Sequence, residues 1–180
     1  YLKYMFIYRL ILEQVKRGYL MEELLKELVE KNRKFTADGN VANYIPELDK
    51  ADKNALGIYV TTLDGQEFFA GDYNTKFTIQ SISKIISLML AILDNGEEYV
   101  FSKVGMEPSG DPFNSIRKLE TSSRKKPYNP MINAGAIAVA SMIKGKDDRE
   151  KFLRLLDFAK LITEDDTLDL NYKIYIGESD

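Results

Sequence analysis

Between Phe77 and Leu93 the apolar side chains Ile82, Ile85, Ile86, Leu88, Met89, Ala91 and Ile92 fall nearly all round a helix. A helix of that kind belongs inside a protein, so the rest of the chain has to cover it. The spacing predicts a buried helix over Phe77–Leu93, ended by Asn95-Gly96. Residues 2 to 34 carry Ile7, Leu10, Ile11, Val15, Leu24, Leu25, Leu28 and Val29 at helical spacing with charges between them, which predicts one or two amphipathic helices broken near Gly18. Met21 opens a start-like stretch, leaving residues 1 to 20 open as a leader or an addition. After an irregular segment, Ala37 to Ala51, the β-rich runs Leu56–Leu63 and Gln66–Ala70 flank Asp64-Gly65 and predict a hairpin that Gly71-Asp72 ends. Helices are expected again over Asn133–Ile143 and Arg149–Ile162. Ahead of them Gly105 to Pro130 holds four of the five prolines, a loop-rich stretch of the kind that shapes sites. Beyond Asp165-Asp166 the chain turns polar, with a short alternating run from Tyr172 to Ile176.

Cys and His are both missing from the 180, and their absence narrows the chemistry. Without Cys there are no disulfides, thiolate metal sites or cysteine nucleophiles. Without His there is no Ser-His-Asp triad and no imidazole ligand or base. Hydrolytic chemistry has to run on hydroxyls, amines and carboxylates. A net charge of -3 offers no basic footprint for nucleic acid. The most apolar run, Met5 to Leu12, is cut by Arg9 and followed by Glu13, Lys16 and Arg17, short of the roughly 20 apolar residues of a membrane span. It also lacks a signal-peptide cleavage site, and a soluble, cytoplasmic protein without a membrane partner is the expectation.

With imidazole gone, the informative pattern is a hydroxyl beside an amine. Ser81-Ile82-Ser83-Lys84 provides one, since residues three apart on a helix share a face. Such a pair is common by chance, but this lysine sits in an otherwise apolar helix, where a solvated surface role fits poorly. A lysine amine with a pKa of about 10.4 is neutral in only about one part in 2,500 at pH 7. Burial can lower that value by roughly 3 to 5 units, enough to make a base. A serine near a helix start also gains from exposed backbone N–H groups able to hold an oxyanion.

The stretch FTIQSISK, Phe77 to Lys84, resembles the nucleophile motif of the serine-dependent glutaminase family, relatives in fold of penicillin-binding proteins and serine β-lactamases. Asn40 to Val60, Val104 to Ser115 and Asn129 to Ala138 resemble further blocks of that family in the same order, and the likeness spans about Asn40 to Asp180. The resemblance implies an α+β, β-lactamase/transpeptidase-like fold, with the Ser81 helix between a helical cluster and an antiparallel sheet. It divides the chain into a helical segment, residues 1–36, and the N-terminal part of a catalytic domain, residues 37–180. It implies hydrolysis of L-glutamine to L-glutamate and ammonia through a glutamyl-serine ester, without cofactor or metal, in a homodimer or homotetramer. Ser81 is then the nucleophile and Lys84 the base; Tyr44 lines the pocket, Asn133 binds the amino-acid end, and Glu178 pairs with the α-ammonium. At Gly177 the family more often has Ser. The family's catalytic domain is longer, contributing a second asparagine, further tyrosines and later strands that cannot be assigned here, so an incomplete sheet with unpaired edges is expected.

Plainer readings stand beside these. Tyr44 reads equally as a core tyrosine, Asn133 as the N-cap of a tightly packed helix, and Glu178 as a solvated acid. Arg124, Lys125 and Lys126 read as an exposed loop, and Met89, Met131 and Met142 as core filler. Two rival functions remain open. A β-lactam or peptidoglycan acyl-serine enzyme keeps the nucleophile but needs a Lys-Thr-Gly strand, which is absent. A non-catalytic helical module would bind a partner through residues 1 to 34.

Overall fold

A computed structural model describes residues 2–110 and 126–179, with side chains from Gly18 to Gly110 and from Lys126 to Gly177. The chain forms two compact units: residues up to Phe77 together with those from Asn171 on, and Thr78 to Leu170.

In the first unit, α1 (Leu2–Arg33) is one uninterrupted helix. The break expected near Gly18 does not occur. A single glycine costs a helix only about 1 kcal/mol, and a Cβ at Gly18 would meet the Phe68 ring at an ordinary contact distance of 3.5 Å. The hairpin forms as expected, β1 (Gly57–Thr61) antiparallel to β2 (Glu67–Gly71), with Ile58 opposite Ala70 and Val60 opposite Phe68. Period-2 alternation sends Phe68 and Ala70 inward, where they pack on Leu25 and Val29 of α1. Burying Phe68 contributes about 2 kcal/mol and Ala70 about 0.8 kcal/mol, which a lone two-stranded sheet could not supply for itself. On the other face Tyr59 and Phe69 stack at 5.9 Å and Tyr73 lies against Phe69 at 4.1 Å, with Tyr59 and Phe69 largely exposed.

Asp72 closes the hairpin. Its Oδ2 accepts from Leu56 N and from Arg33 Nη1, both at 3.0 Å, and these contacts, the backbone one first, hold its carboxyl below the usual range. Gly71 has φ +70° and would place a Cβ 2.2 Å from Leu56 O, so no side chain fits there. At the chain's far end the alternating run forms a helix, α6 (Tyr172–Ser179). Asn171 starts it by accepting from Ile174 N at 3.2 Å, a cap signal that outweighs so short an alternation.

The second unit holds α2 (Ser83–Asn95), α3 (Glu97–Lys103), α4 (Asn133–Met142) and α5 (Asp148–Thr163). Gly96 ends α2 as expected, its N–H reaching Ile92 O at 2.8 Å. Asp147 caps α5 by accepting from Glu150 N, while Glu150 accepts from Lys146 N, both at 2.8 Å. Leu90, Ala91, Val100, Val104, Val139 and Ile143 form the core, with Leu155 and Phe158 packed on it.

The expectation that α2 is buried all round is corrected. Only Ser87, Leu90 and Ala91 are buried on it, while Ile82, Ile85, Met89 and Leu93 form an exposed stripe. One face meets α3, α4 and α5, and no described residue of this unit covers the other. Met89 and Met131 are therefore surface residues, and only Met142 packs on the core. Of the basic trio, Lys126 is half-buried and donates to Phe101 O at 3.0 Å; Arg124 and Lys125 lie outside the described residues. No helix among the described residues is long and apolar enough to cross a membrane.

Candidate active site

The second unit brings three of the five site residues expected from sequence to the N-terminal ends of α2 and α4. Ser81 sits in a 3-10 turn, Gln80–Ile82, that runs directly into α2, and its side chain is exposed. The residue before it is strained: Gln80 has φ +44°, a region that costs a non-glycine residue about 1–2 kcal/mol. Local bonds hold it there. Gln80 Nε2 donates to Thr78 Oγ1 at 3.2 Å, and Gln80 O accepts from Ser83 Oγ at 2.7 Å. The Ile82 N–H is bonded to Ile79 O at 2.9 Å, so it is not a spare donor for an oxyanion.

Lys84 follows in the first turn of α2 and is half-buried, less enclosed than its apolar neighbours in sequence suggest. Its Nζ donates to Asn133 Oδ1 at 2.7 Å and to Met131 O at 2.9 Å. Those acceptors lie 47 and 49 residues along the chain, and no spacing rule finds them. The N-cap reading of Asn133 is not met. It is the first residue of α4, the cap position is Ile132, and the Asn133 side chain turns to Lys84.

Asn129, which sequence reasoning left without a role, organises this turn. Its Oδ1 accepts from Met131 N at 3.0 Å and Ile132 N at 3.2 Å, and its Nδ2 donates to Glu107 O at 2.9 Å. Its carbonyl oxygen presses on α4 so closely that a Cβ on Gly135 would lie 1.8 Å from it. The small-residue run Ala134-Gly135-Ala136 was the available signal.

The other two residues belong to the first unit. Tyr44 is 65% exposed, which excludes the core reading, while its neighbour Ile45 is buried. A Cβ at Gly177 would meet Ile45 Cγ2 at 2.8 Å, which accounts for glycine at this position. The side chain of Glu178 lies outside the described residues.

A family model described as Glutaminase matches residues 39–180. The chain belongs to the glutaminase family. It is 98% identical over 160 residues to a glutaminase of Fusobacterium nucleatum subsp. nucleatum, a match covering 89% of this chain and 53% of that protein. It is 59% identical over 160 residues to a glutaminase of Clostridium botulinum strain Loch Maree, covering 89% and 52%. The chain thus spans about half the length of the curated relatives it matches. Among solved structures it resembles a probable glutaminase from Bacillus subtilis complexed with 6-diazo-5-oxo-L-norleucine, at 36% identity and a TM-score of 0.75, over 87% of this chain and 46% of that one. The α+β class holds, as helices with one small antiparallel sheet among the described residues. The glutaminase blocks at Phe77–Lys84 and Asn129–Ala138 therefore meet in space through the bond between Lys84 and Asn133.

Proposed function

We propose that the protein carrying this chain hydrolyses L-glutamine to L-glutamate and ammonia, with Ser81 as nucleophile and Lys84 as base. The observation that carries the reading is the 2.7 Å contact from Lys84 Nζ to Asn133 Oδ1, which joins the Ser-x-x-Lys turn to the asparagine matched to substrate binding. Family membership and a relative complexed with a glutamine-like diazoketone support the substrate class.

In this reading Ser81 Oγ attacks the side-chain amide carbon. The Lys84 amine takes the hydroxyl proton and passes it to the departing nitrogen, so ammonia leaves and a γ-glutamyl ester remains on Ser81. Water then adds to the ester carbon as one of its protons passes through the Lys84 amine to the departing Ser81 Oγ, its other proton ionises from the new carboxyl, and glutamate departs. Asn133, exposed beside the amine, holds the amino-acid end. Tyr44 and Glu178 keep the roles the resemblance gives them, lining the pocket and pairing with the α-ammonium, and both are read out in KM.

The test is glutamate release by the full-length protein, with Ser81→Ala and Lys84→Ala as controls. Both variants are expected to remain folded and to lose turnover. Undiminished turnover in either one dismisses the pair.

A further inference from the structure

We propose that Asn129 is a positioning residue for the Lys84 amine, acting through the turn that presents Met131 O and Asn133 Oδ1; this rests on the glutaminase reading above. A lysine nitrogen rides on a flexible four-carbon stem, so its place is set by what it bonds to. Met131 O and Asn133 Oδ1, which accept from Lys84, lie within four residues of Asn129. The two backbone amides that Asn129 Oδ1 holds, Met131 and Ile132, are the ones that bring those acceptors to the amine.

The turn has no slack. Asn129 Nδ2 fastens it to Glu107 O, and the neighbouring backbone is pinned by Gly105 N to Pro127 O at 2.7 Å and Glu107 N to Tyr128 O at 3.1 Å. On the other side the Asn129 carbonyl abuts Gly135, where any side chain would collide. The carboxamide is suited to this task because one end accepts two N–H groups while the other donates to a carbonyl. Aspartate reproduces only the accepting end, and alanine neither. Asn129 makes no bond to Lys84 itself, so its effect passes through the Met131 carbonyl and Asn133.

Two measurements on the full-length protein decide it. The first is steady-state kinetics of wild type, Asn129→Ala and Asn129→Asp, with Ser81→Ala as control. A displaced base should lower kcat in Asn129→Ala by about 10²-fold. KM should rise by less than kcat falls, because the released turn carries Asn133 while Tyr44 and Glu178 are untouched, and Asn129→Asp should recover much of both. The second needs no turnover. It is the acetylation rate of Lys84 by acetic anhydride, read by peptide mass spectrometry against exposed Lys146. Releasing the nitrogen should raise the Lys84 rate in Asn129→Ala and raise it less in Asn129→Asp.

An unchanged acetylation rate overturns the positioning role, as does a kcat loss equal in both variants and matched by lost folded protein. A raised acetylation rate with unchanged kcat upholds positioning and dismisses Lys84 as the base. Full activity in Ser81→Ala instead removes the glutaminase mechanism and leaves the acetylation result standing.

Discussion

Both ends of α2 are tied to polar partners, one end enclosed and the other open to solvent. At the C-terminal end Asp94, with 8% of its side chain exposed, accepts from Arg154 Nη2 at 2.6 Å, Arg154 Nη1 at 2.7 Å and Lys144 N at 2.8 Å. Beside it Asn95 Nδ2 donates to Met142 O at 2.8 Å and to Ala91 O at 2.9 Å, closing α2 onto the C-terminus of α4. At the N-terminal end Ser81 is exposed, Gln80 is strained, and Lys84 meets an exposed Asn133 at the start of α4. The two helices therefore run side by side in one direction, fastened at both ends. Polar groups that serve stability are enclosed and matched bond for bond. Those proposed for the chemistry are left accessible, and the backbone beside them stores strain at Gln80.

The contrast can be broken by substitution. The largest effect is expected at the N-terminal end, where Ser81→Ala should cut glutaminase kcat by about 10³-fold or more, with Lys84→Ala close behind. Ser81→Ala should not shift the melting temperature appreciably, since Ser81 is exposed, and Lys84→Ala should lower it only modestly through the lost bonds to Met131 O and Asn133 Oδ1. A large loss of melting temperature in Ser81→Ala would erase the distinction between the ends.

Asp94→Asn should do the reverse, lowering stability by about 1–2 kcal/mol while kcat of the folded enzyme holds. The Arg154 guanidinium, and behind it the Lys144 N–H, hold the Asp94 carboxyl below the usual range. A depressed folded pKa contributes stability that is complete above the unfolded value of about 3.9 and is lost as pH falls through the lower folded value. Thermal melts below about pH 4 should show that loss in wild type and less of it in Asp94→Asn. A pH dependence identical in both proteins would contradict the assignment.

The smallest effect sharpens the comparison at the strained residue. Gln80→Gly removes the left-handed penalty and should raise the melting temperature by about 2–4 °C. It should also lower kcat, because Ser81 loses its rigid approach. A variant that is both more stable and equally active would show that the strain serves nothing.

Local physics was legible in the residues themselves. Asp64-Gly65 between alternating runs, Gly96 after the last apolar turn of α2, and the helix over Asn133–Met142 all follow from short-range rules. The Ser-x-x-Lys pair could be noticed because its members are three apart. What sequence could not show were ties between distant positions: Lys84 with Asn133, Asp94 with Arg154, and Arg33 with Asp72. It also could not tell that α2, apolar nearly all round, leaves one stripe uncovered among the described residues, since periodicity reports which faces are apolar and not which are met. Asn129 was missed for a related reason. An asparagine before a proline reads as an ordinary turn, and its importance rests on what the turn carries.

The account stands on Ser81 being the attacking group of a glutamine-shaped site. The most direct measurement incubates the full-length protein with 6-diazo-5-oxo-L-norleucine and locates the adduct by peptide mass spectrometry. The result expected is a single ether at Ser81 Oγ, formed as N2 leaves the diazo carbon, slowed by L-glutamate and absent from Ser81→Ala. An adduct on another residue, or labelling of Ser81→Ala at the wild-type rate, would contradict it.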